Sequence, residues 1–165
     1  MGSGKSSVGK ALAASIGYNF FDLDSQIEFI EEKSISKIFY EKGEIYFRKR
    51  ENLILKELMT SETNVVLAAG GGTPCYGDSM DFLLRQEETI TIYLKASLSF
   101  LTDRLFQEKL NRPLIAHIDT KEILMDFIRK HLFERSYYYN QASLKIDVEN
   151  VSVAELVKKI TMALF

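Results

Sequence analysis

The chain opens with glycine, lysine and serine in the order Gly2-Ser3-Gly4-Lys5-Ser6-Ser7, and this segment runs directly into the apolar helical stretch Lys5–Ile16. Glycines let backbone N–H groups turn toward a phosphate, and a helix N-terminus adds positive potential there. Lys5 is then placed to reach the β- and γ-phosphates of a nucleotide, and the hydroxyl of Ser6 to bind Mg²⁺. A solvated Gly/Ser-rich tail is the alternative, but the helix that starts at the Gly-Lys-Ser step favours a phosphate-binding loop.

The loop departs from the full motif G-x-x-x-x-G-K-[ST] at its beginning. The first glycine of the motif belongs three residues before Gly2, and an apolar strand should lead into the loop. The sequence contains neither, since only Met1 precedes Gly2. Three explanations stay open: a start upstream of Met1, a truncated chain, or a damaged enzyme.

Short apolar runs alternate with longer helical periodicities along the rest of the chain. The runs predicted as strands are Asn19–Leu23, Asn64–Ala68, Thr89–Leu94 and Leu144–Val148. Helices are predicted at Lys5–Ile16, at Tyr46–Met59, around Leu98–Leu105, around Ile123–Leu132 and from Val153 onward, where Ser152 and Glu155 form a capping box. Glu31-Glu32-Lys33 is interpreted as an exposed helix end. This alternation predicts an α/β fold with a mainly parallel sheet, whose ligands bind beyond the carboxyl ends of the strands.

Composition excludes several classes of protein. With 165 residues the chain is expected to form a single domain over residues 1–165. Lys+Arg 21 against Asp+Glu 23 gives no general attraction to nucleic acid or an anionic membrane. The longest purely apolar run, Val65–Ala69, is far short of a membrane span, and the single cysteine, Cys75, agrees with a reducing compartment. We therefore predict a cytoplasmic location, with neither nucleic acid nor membrane as a partner.

Two carboxylates end the first predicted strand and are candidates for an acceptor site. Asp22 and Asp24 are two residues apart, and in an extended chain both side chains point to the same side. One carboxylate can then face a metal ion and the other a substrate hydroxyl. The alternative is that these residues only cap the following helix.

A basic block and a run of glycines supply further candidates. Arg48 and Glu51 are three residues apart on a predicted helix, where they can pair. Glu51 either orients Arg48 toward a substrate carboxylate or is half of a surface ion pair worth little. Gly70-Gly71-Gly72 follows a predicted buried strand and lets the backbone approach a ligand closely, with a flexible turn as the alternative.

These segments together resemble the shikimate kinases over nearly the whole chain. The resemblance rests on the phosphate loop, the Asp22/Asp24 pair, the Gly43-Glu44…Phe47-Arg48…Glu51 block, the triple glycine, Asn111-Arg112-Pro113-Leu114-Ile115 and Glu134-Arg135…Tyr139. It implies a three-layer P-loop kinase fold with helices on both faces, a mobile lid at about 108–120 and a family strand order of 2-3-1-4-5. The family's first strand is missing from this sequence, so an open seam is expected in the core.

The resemblance also implies roles for individual residues. Those that would hold ATP are Gly2, Ser3, Gly4, Lys5, Ser6, Ser7, Arg104 and Arg112. Ser6 would bind Mg²⁺ directly and Asp22 would reach it through water. Those that would hold shikimate are Asp24, Arg48, Gly70, Gly71, Gly72 and Arg135.

The implied reaction is ATP-dependent phosphorylation of shikimate by a monomer. Lys5, Asp24 and Arg112 would be the catalytic residues, with Asp24 orienting the 3-hydroxyl and Arg112 closing over the phosphates. Two alternatives stay open: another small-molecule P-loop kinase, such as one acting on gluconate, and an impaired relative that only binds its ligands.

Overall fold

The computed structural model describes residues 2–112 and 114–165, and within them four strands alternate with seven helices. The strands are β1 Asn19–Asp22, β2 Val65–Ala68, β3 Ile92–Lys95 and β4 Leu144–Asp147. The helices are α1 Lys5–Ile16, α2 Leu23–Glu31, α3 Ile35–Ser61, α4 Ser79–Arg85, α5 Leu98–Glu108, α6 Lys121–Tyr139 and α7 Val153–Leu164. Short 3-10 turns lie at Thr73–Cys75 and Lys109–Asn111.

The predicted elements are present, with two helices added. Helix α1 has its predicted bounds, and the capping box of Ser152 and Glu155 begins α7. The region Tyr46–Met59 is the second half of α3, which breaks at Gly43, where φ is 78° and ψ is 172°. Of α2 the sequence indicated only an end, at Glu31-Glu32-Lys33, and it did not identify α4 as a helix. Helix α2 follows β1 without an intervening turn, so no breaker residue separates the two.

The strands form two separate parallel pairs. β1 pairs with β2 from Asn19 opposite Val65, and β3 pairs with β4 from Ile92 opposite Leu144. In the family's strand order these pairs correspond to 2-3 and 4-5. Alternate residues of a strand face opposite sides of a sheet, and here Val66 packs against one apolar core while Leu67 packs against the other. The α/β class with helices on both faces is thereby confirmed.

The larger core joins α1, β3, α5, α6 and α7, and the smaller one joins α2 and α3. Ile115 and Ile118, inside the predicted lid, are buried in the larger core, whereas Leu110 and Leu114 are exposed. Pro113 lies outside the described residues, and the mobility of the lid stays a prediction. No helix in the described ranges is long and apolar enough to cross a membrane.

An apolar cavity of about 430 Å³ lies between the two pairs of strands. On one side its wall is formed by residues 65–69, which are β2 and the residue after it. On the other side the wall is formed by residues 89–94, which are the segment before β3 and most of β3 itself. Val8 and Leu12 of α1 also line the cavity. Ser3 and Lys5 of the phosphate loop line it as well. We call this cavity the inter-sheet groove. It lies where the sequence reading expected an open seam.

Glu31 is not the exposed helix end that the sequence suggested, because its side chain is only 7% exposed. Its carboxylate accepts hydrogen bonds from Arg50 Nε at 2.5 Å, Tyr46 Oη at 2.8 Å and Lys42 Nζ at 3.2 Å. Burial opposes ionisation, but these donors outweigh it and lower the pKa of Glu31 to about 2. The cluster ties the end of α2 to the middle of α3.

Candidate active site

The phosphate loop has the backbone conformation that its glycines suggest. Gly2 and Gly4 have φ of 71° and 87°, in the left-handed region that side chains rarely adopt. Gly4 is the N-cap of α1 and its carbonyl accepts from Val8 N at 3.0 Å. A Cβ at Gly2 would lie 2.9 Å from the side chain of Leu105. The loop therefore lies tightly against α5, with the amides at the start of α1 beyond it.

Lys5 extends from this loop toward the end of β1. Burial lowers the pKa of its ammonium group, and the nearby carboxylates of Asp24 and Asp22 oppose that shift. Arg112 is close enough to add to the lowering. The structure thus brings Lys5, both acidic residues and the arginine of the predicted lid into one neighbourhood.

Ser6 and Asp22 form the pair of oxygen donors suited to a cation. Ser6 Oγ donates to Asp22 Oδ2 at 2.6 Å, and the other oxygen of Asp22 accepts from Ser25 N at 3.4 Å, which caps α2. Hard oxygen ligands are what Mg²⁺ prefers, and it usually retains several waters and substrate phosphates. A hydroxyl and one carboxylate beside a phosphate loop fit that requirement. The capping role therefore coexists with the predicted metal role.

Asp24 lies next to this pair, though not for the reason given by the sequence. The extended-chain argument is wrong, because β1 ends at Asp22 and Asp24 belongs to the first turn of α2. The two carboxylates are nevertheless neighbours. Burial raises the pKa of Asp24, Asp22 and Glu51 raise it further, and Lys5 acts in the opposite direction. Asp24 is consequently a stronger base than an ordinary aspartate.

Arg48 is held by a buried carboxylate rather than by a surface ion pair. Its Nη1 donates to Glu51 Oε2 at 2.8 Å, and the side chain of Glu51 is only 3% exposed. The other oxygen, Oε1, accepts from Thr73 Oγ1 at 2.7 Å. Glu44 accepts a longer bond from Arg48 Nε at 3.4 Å. The i,i+3 pairing predicted from sequence is confirmed.

The triple glycine lies between Asp24 and Arg48. A Cβ at Gly70 would be 3.2 Å from Glu51 Oε1 and 3.4 Å from Asp24 Oδ1. A Cβ at Gly72 would be 2.7 Å from both terminal nitrogens of Arg48. Gly72 therefore packs its backbone directly on the guanidinium, so the run is no mere flexible turn.

Arg135 approaches the same loop from α6. Both Arg135 and Arg48 are close enough to Cys75 to oppose the rise that burial causes in the pKa of its thiol. Tyr139, one turn after Arg135, donates from its hydroxyl to Gly71 O at 2.6 Å. The two arginines thus converge on the turn that follows the glycines.

Arg104 and Arg112 share one carboxylate on the opposite side of the phosphate loop. Glu108 Oε1 accepts from Arg104 Nε at 3.2 Å, and Glu108 Oε2 accepts from Arg112 Nη2 at 2.6 Å. A Cβ at Gly4 would lie 3.6 Å from Arg104 Nη1, so this arginine covers the loop. The sequence reading missed Glu108, although its spacing of four residues from each arginine was a usable signal.

A second cavity, of about 300 Å³, adjoins the phosphate loop. It is bordered by Ser3 and Gly4, by Phe100 and Arg104 of α5, and by the segment after β4. That segment contributes the residues Val148, Asn150, Val151 and Val153. The sequence reading missed it, although the rule that ligands bind beyond the carboxyl ends of parallel strands pointed to it.

The fold and site together define a P-loop enzyme of phosphoryl transfer. The family profile described as shikimate kinase matches residues 1–165. The chain belongs to the shikimate kinase family.

Relatives and solved structures agree with that assignment. The chain is 44% identical over 160 residues to a shikimate kinase of Flavobacterium johnsoniae, covering 97% of this chain and 92% of the relative. It is 39% identical over 165 residues to one of Flavobacterium psychrophilum, covering 100% of this chain and 95% of the relative.

Among solved structures, a shikimate kinase of Bacteroides thetaiotaomicron gives a TM-score of 0.90 at 33% identity, covering 99% of this chain and 93% of the other. One from Acinetobacter baumannii in complex with shikimate gives 0.84 at 33% identity, covering 99% and 88%. A gluconokinase of Sinorhizobium meliloti, at 20% identity and a TM-score of 0.57, covering 99% and 86%, shares the fold alone.

Proposed function

We propose that the chain transfers the γ-phosphoryl group of ATP to the 3-hydroxyl of shikimate, and that it does so as a monomer. The observation that carries the proposal is the arrangement around the triple glycine. Gly70 lies against Asp24 and Glu51, and Gly72 lies against Arg48. A base and a carboxylate anchor therefore border one short stretch of backbone, which suits a small cyclic hydroxy acid.

Recognition of the acid is assigned to Arg48 and Arg135. An arginine offers several N–H donors in a planar fork that matches a carboxylate. The bond to Glu51 occupies one edge of Arg48 and leaves donors for the ligand. Arg135 supplies a second positive charge from α6, and the backbone of Gly70, Gly71 and Gly72 forms the floor beneath the ring.

Asp24 is assigned to the acceptor hydroxyl. Its raised pKa lies closer to that of a useful proton acceptor at neutral pH than the pKa of an exposed aspartate. Its carboxylate would accept a hydrogen bond from the hydroxyl, aim that oxygen at phosphorus and receive the proton as the bond to phosphorus forms. Positioning of this kind accounts for much of the rate in phosphoryl transfer.

The nucleotide is assigned to the phosphate loop and the second cavity. Backbone amides from Gly2 to Ser7 would surround the phosphates, with Lys5 on the β- and γ-phosphates. Ser6 would bind Mg²⁺ directly and Asp22 through water, and the cation would neutralise phosphate charge when bound. The adenine base of ATP would enter the 300 Å³ cavity beside Arg104.

Arg112 is assigned to the γ-phosphoryl group. Its side chain is 39% exposed and its partner Glu108 is 37% exposed, so exchanging that carboxylate for a phosphate costs little. Movement of Arg112 from Glu108 onto the phosphates would add positive charge where it develops in the transition state. The same closure would exclude water, which competes with the 3-hydroxyl of shikimate as acceptor of the phosphoryl group.

A coupled ADP-release assay tests the proposal. With Mg-ATP we expect turnover with shikimate and none above background with gluconate, and omission of Mg²⁺ should abolish the signal. Turnover with gluconate and none with shikimate would show that shikimate is not the substrate. Binding of shikimate and ATP without ADP release would support the alternative of a relative that only binds its ligands.

A further inference from the structure

Thr73 lies immediately after the triple glycine and is fully buried, with 0% of its surface exposed. It begins the 3-10 turn Thr73–Cys75, and its hydroxyl donates to Glu51 Oε1 at 2.7 Å. An ionised carboxylate only accepts hydrogen bonds, so the proton of this bond belongs to the threonine. Thr73 is therefore a donor for the buried oxygen of Glu51 that Arg48 does not use.

That bond determines how Glu51 faces Arg48. A buried carboxylate oxygen without a donor is costly. With Oε1 held by Thr73, only Oε2 is turned to the guanidinium, at 2.8 Å from Nη1. The hydroxyl, the carboxylate and the guanidinium form one chain of hydrogen bonds, and its far end is the group assigned to the substrate acid.

Tyr76 restrains the same guanidinium from another direction. Its ring centroid lies 4.1 Å from Arg48 Cζ, a distance at which the cation and the aromatic face attract each other. Gly72 touches both terminal nitrogens, and Glu44 accepts from Nε. In the described part of the chain Arg48 donates hydrogen bonds from Nε and Nη1 and none from Nη2, which leaves that nitrogen for a ligand.

We propose that Thr73 and Tyr76 are positioning residues for carboxylate recognition: Thr73 orients Arg48 through Glu51, and Tyr76 holds the plane of its guanidinium. This inference rests on the proposed function, because it gives Arg48 the acid of the substrate. Neither residue hydrogen-bonds to Asp24 or to the phosphate loop among the described residues, so we expect an effect on the affinity and selectivity for the acid and not on the transfer step.

Matched substitutions separate the two contributions. Thr73→Val keeps the size and removes the donor, and Thr73→Ser restores the hydroxyl. Tyr76→Leu removes the ring, and Tyr76→Phe keeps it. Loss of a hydrogen bond to a charged group corresponds to about tenfold or more in affinity. We expect Thr73→Val to raise KM for shikimate by about that factor and Tyr76→Leu by roughly threefold, with serine and phenylalanine close to the parent.

Two readouts distinguish positioning from a general loss of structure. For both variants, kcat and KM for ATP should stay within about twofold of the parent, since neither side chain hydrogen-bonds to the phosphate loop among the described residues. Parallel changes in kcat, KM for ATP and Tm would overturn the proposal.

Calorimetric titration with shikimate and with its methyl ester separates this inference from the proposed function. The parent should prefer the acid, and Thr73→Val and Tyr76→Leu should weaken that preference. If the parent binds the acid more tightly than the ester but releases no ADP, the proposed kinase activity is refuted and the positioning role is retained. Normal ADP release with equal affinities in parent and variants would overturn the positioning role. A parent that binds no shikimate would overturn both. Should Thr73→Val fail to fold, the Tyr76→Leu and Tyr76→Phe pair decides.

Discussion

The candidate active site contains two arginine–glutamate pairs, and they differ in exposure. Arg48 and Glu51 are 17% and 3% exposed, whereas Arg112 and Glu108 are 39% and 37% exposed. Glu51 has a second donor in Thr73, and Glu108 has its second donor in Arg104 at the surface. The buried pair is suited to hold one geometry, and the exposed pair to exchange partners during each turnover. On the proposed function, similar chemistry would serve recognition of the acid at Arg48 and closure over the phosphates at Arg112.

Removal of Arg112, the arginine of the exposed pair, should have the largest effect on the reaction. Arg112→Ala deletes a cation from the phosphates in the transition state, and we expect kcat to fall on the order of 10³-fold. Affinity for shikimate, measured by calorimetry, should change little. Lys130→Ala, which removes an exposed cation on α6, serves as the control. Near-normal turnover would remove Arg112 from the catalytic set.

Removal of Arg48, the arginine of the buried pair, should weaken the binding of shikimate instead. Arg48→Ala removes the guanidinium that is proposed to bind the carboxylate of shikimate, so we expect KM for shikimate to rise on the order of 10²-fold, with KM for ATP nearly unchanged. The variant also leaves Glu51 buried without its main partner, which should lower the free energy of unfolding by about 3–5 kcal/mol. Lys49→Ala, exposed on the same helix, should behave like the parent. Unchanged affinity for shikimate would refute the role of Arg48.

Two carboxylate-to-amide substitutions test whether the buried and the exposed arginine–glutamate pair differ in their contribution to stability. Glu51→Gln should lower the free energy of unfolding by about 3 kcal/mol, because a buried charge pair is broken. Glu108→Gln should lower it by less than about 0.5 kcal/mol. It should also lower KM for ATP slightly, since Arg112 is released. Equal losses of stability in urea titrations would show that exposure does not divide the two pairs as proposed.

Acid titration extends the comparison to a buried carboxylate with no site role. The pKa of Glu31 is about 2 in the folded chain, against 4.5 for its ordinary value. Between these values the unfolded state binds more protons, so the stability contributed by Glu31 falls as pH drops from 4.5 to 2. Glu31→Gln should remove that part of the pH dependence, about 1 kcal/mol after solvent screening. Identical unfolding curves across this window would contradict it.

Sequence reasoning succeeded where a local pattern carries the physics. The loop at Gly4-Lys5-Ser6 and the capping box at Ser152 depend on neighbours in the chain, and both have the predicted form. Asp24 was placed beside Asp22 by a wrong argument, since the chain turns into α2 one residue earlier than expected. Thr73 could not have been singled out at all. Its importance comes from a contact with Glu51, 22 positions away, and nothing about an isolated threonine signals that partner.

The inter-sheet groove has a consequence for the exchange of backbone hydrogens with solvent. In a parallel sheet, successive N–H groups of one strand point to opposite neighbours. Among residues 2–112 and 114–165, β2 has β1 as its one strand neighbour and β3 has β4. Every second amide of β2 and β3 is therefore held by a strand, while the ones between them face the groove. Deuterium uptake should alternate between slow and fast, residue by residue, along both strands.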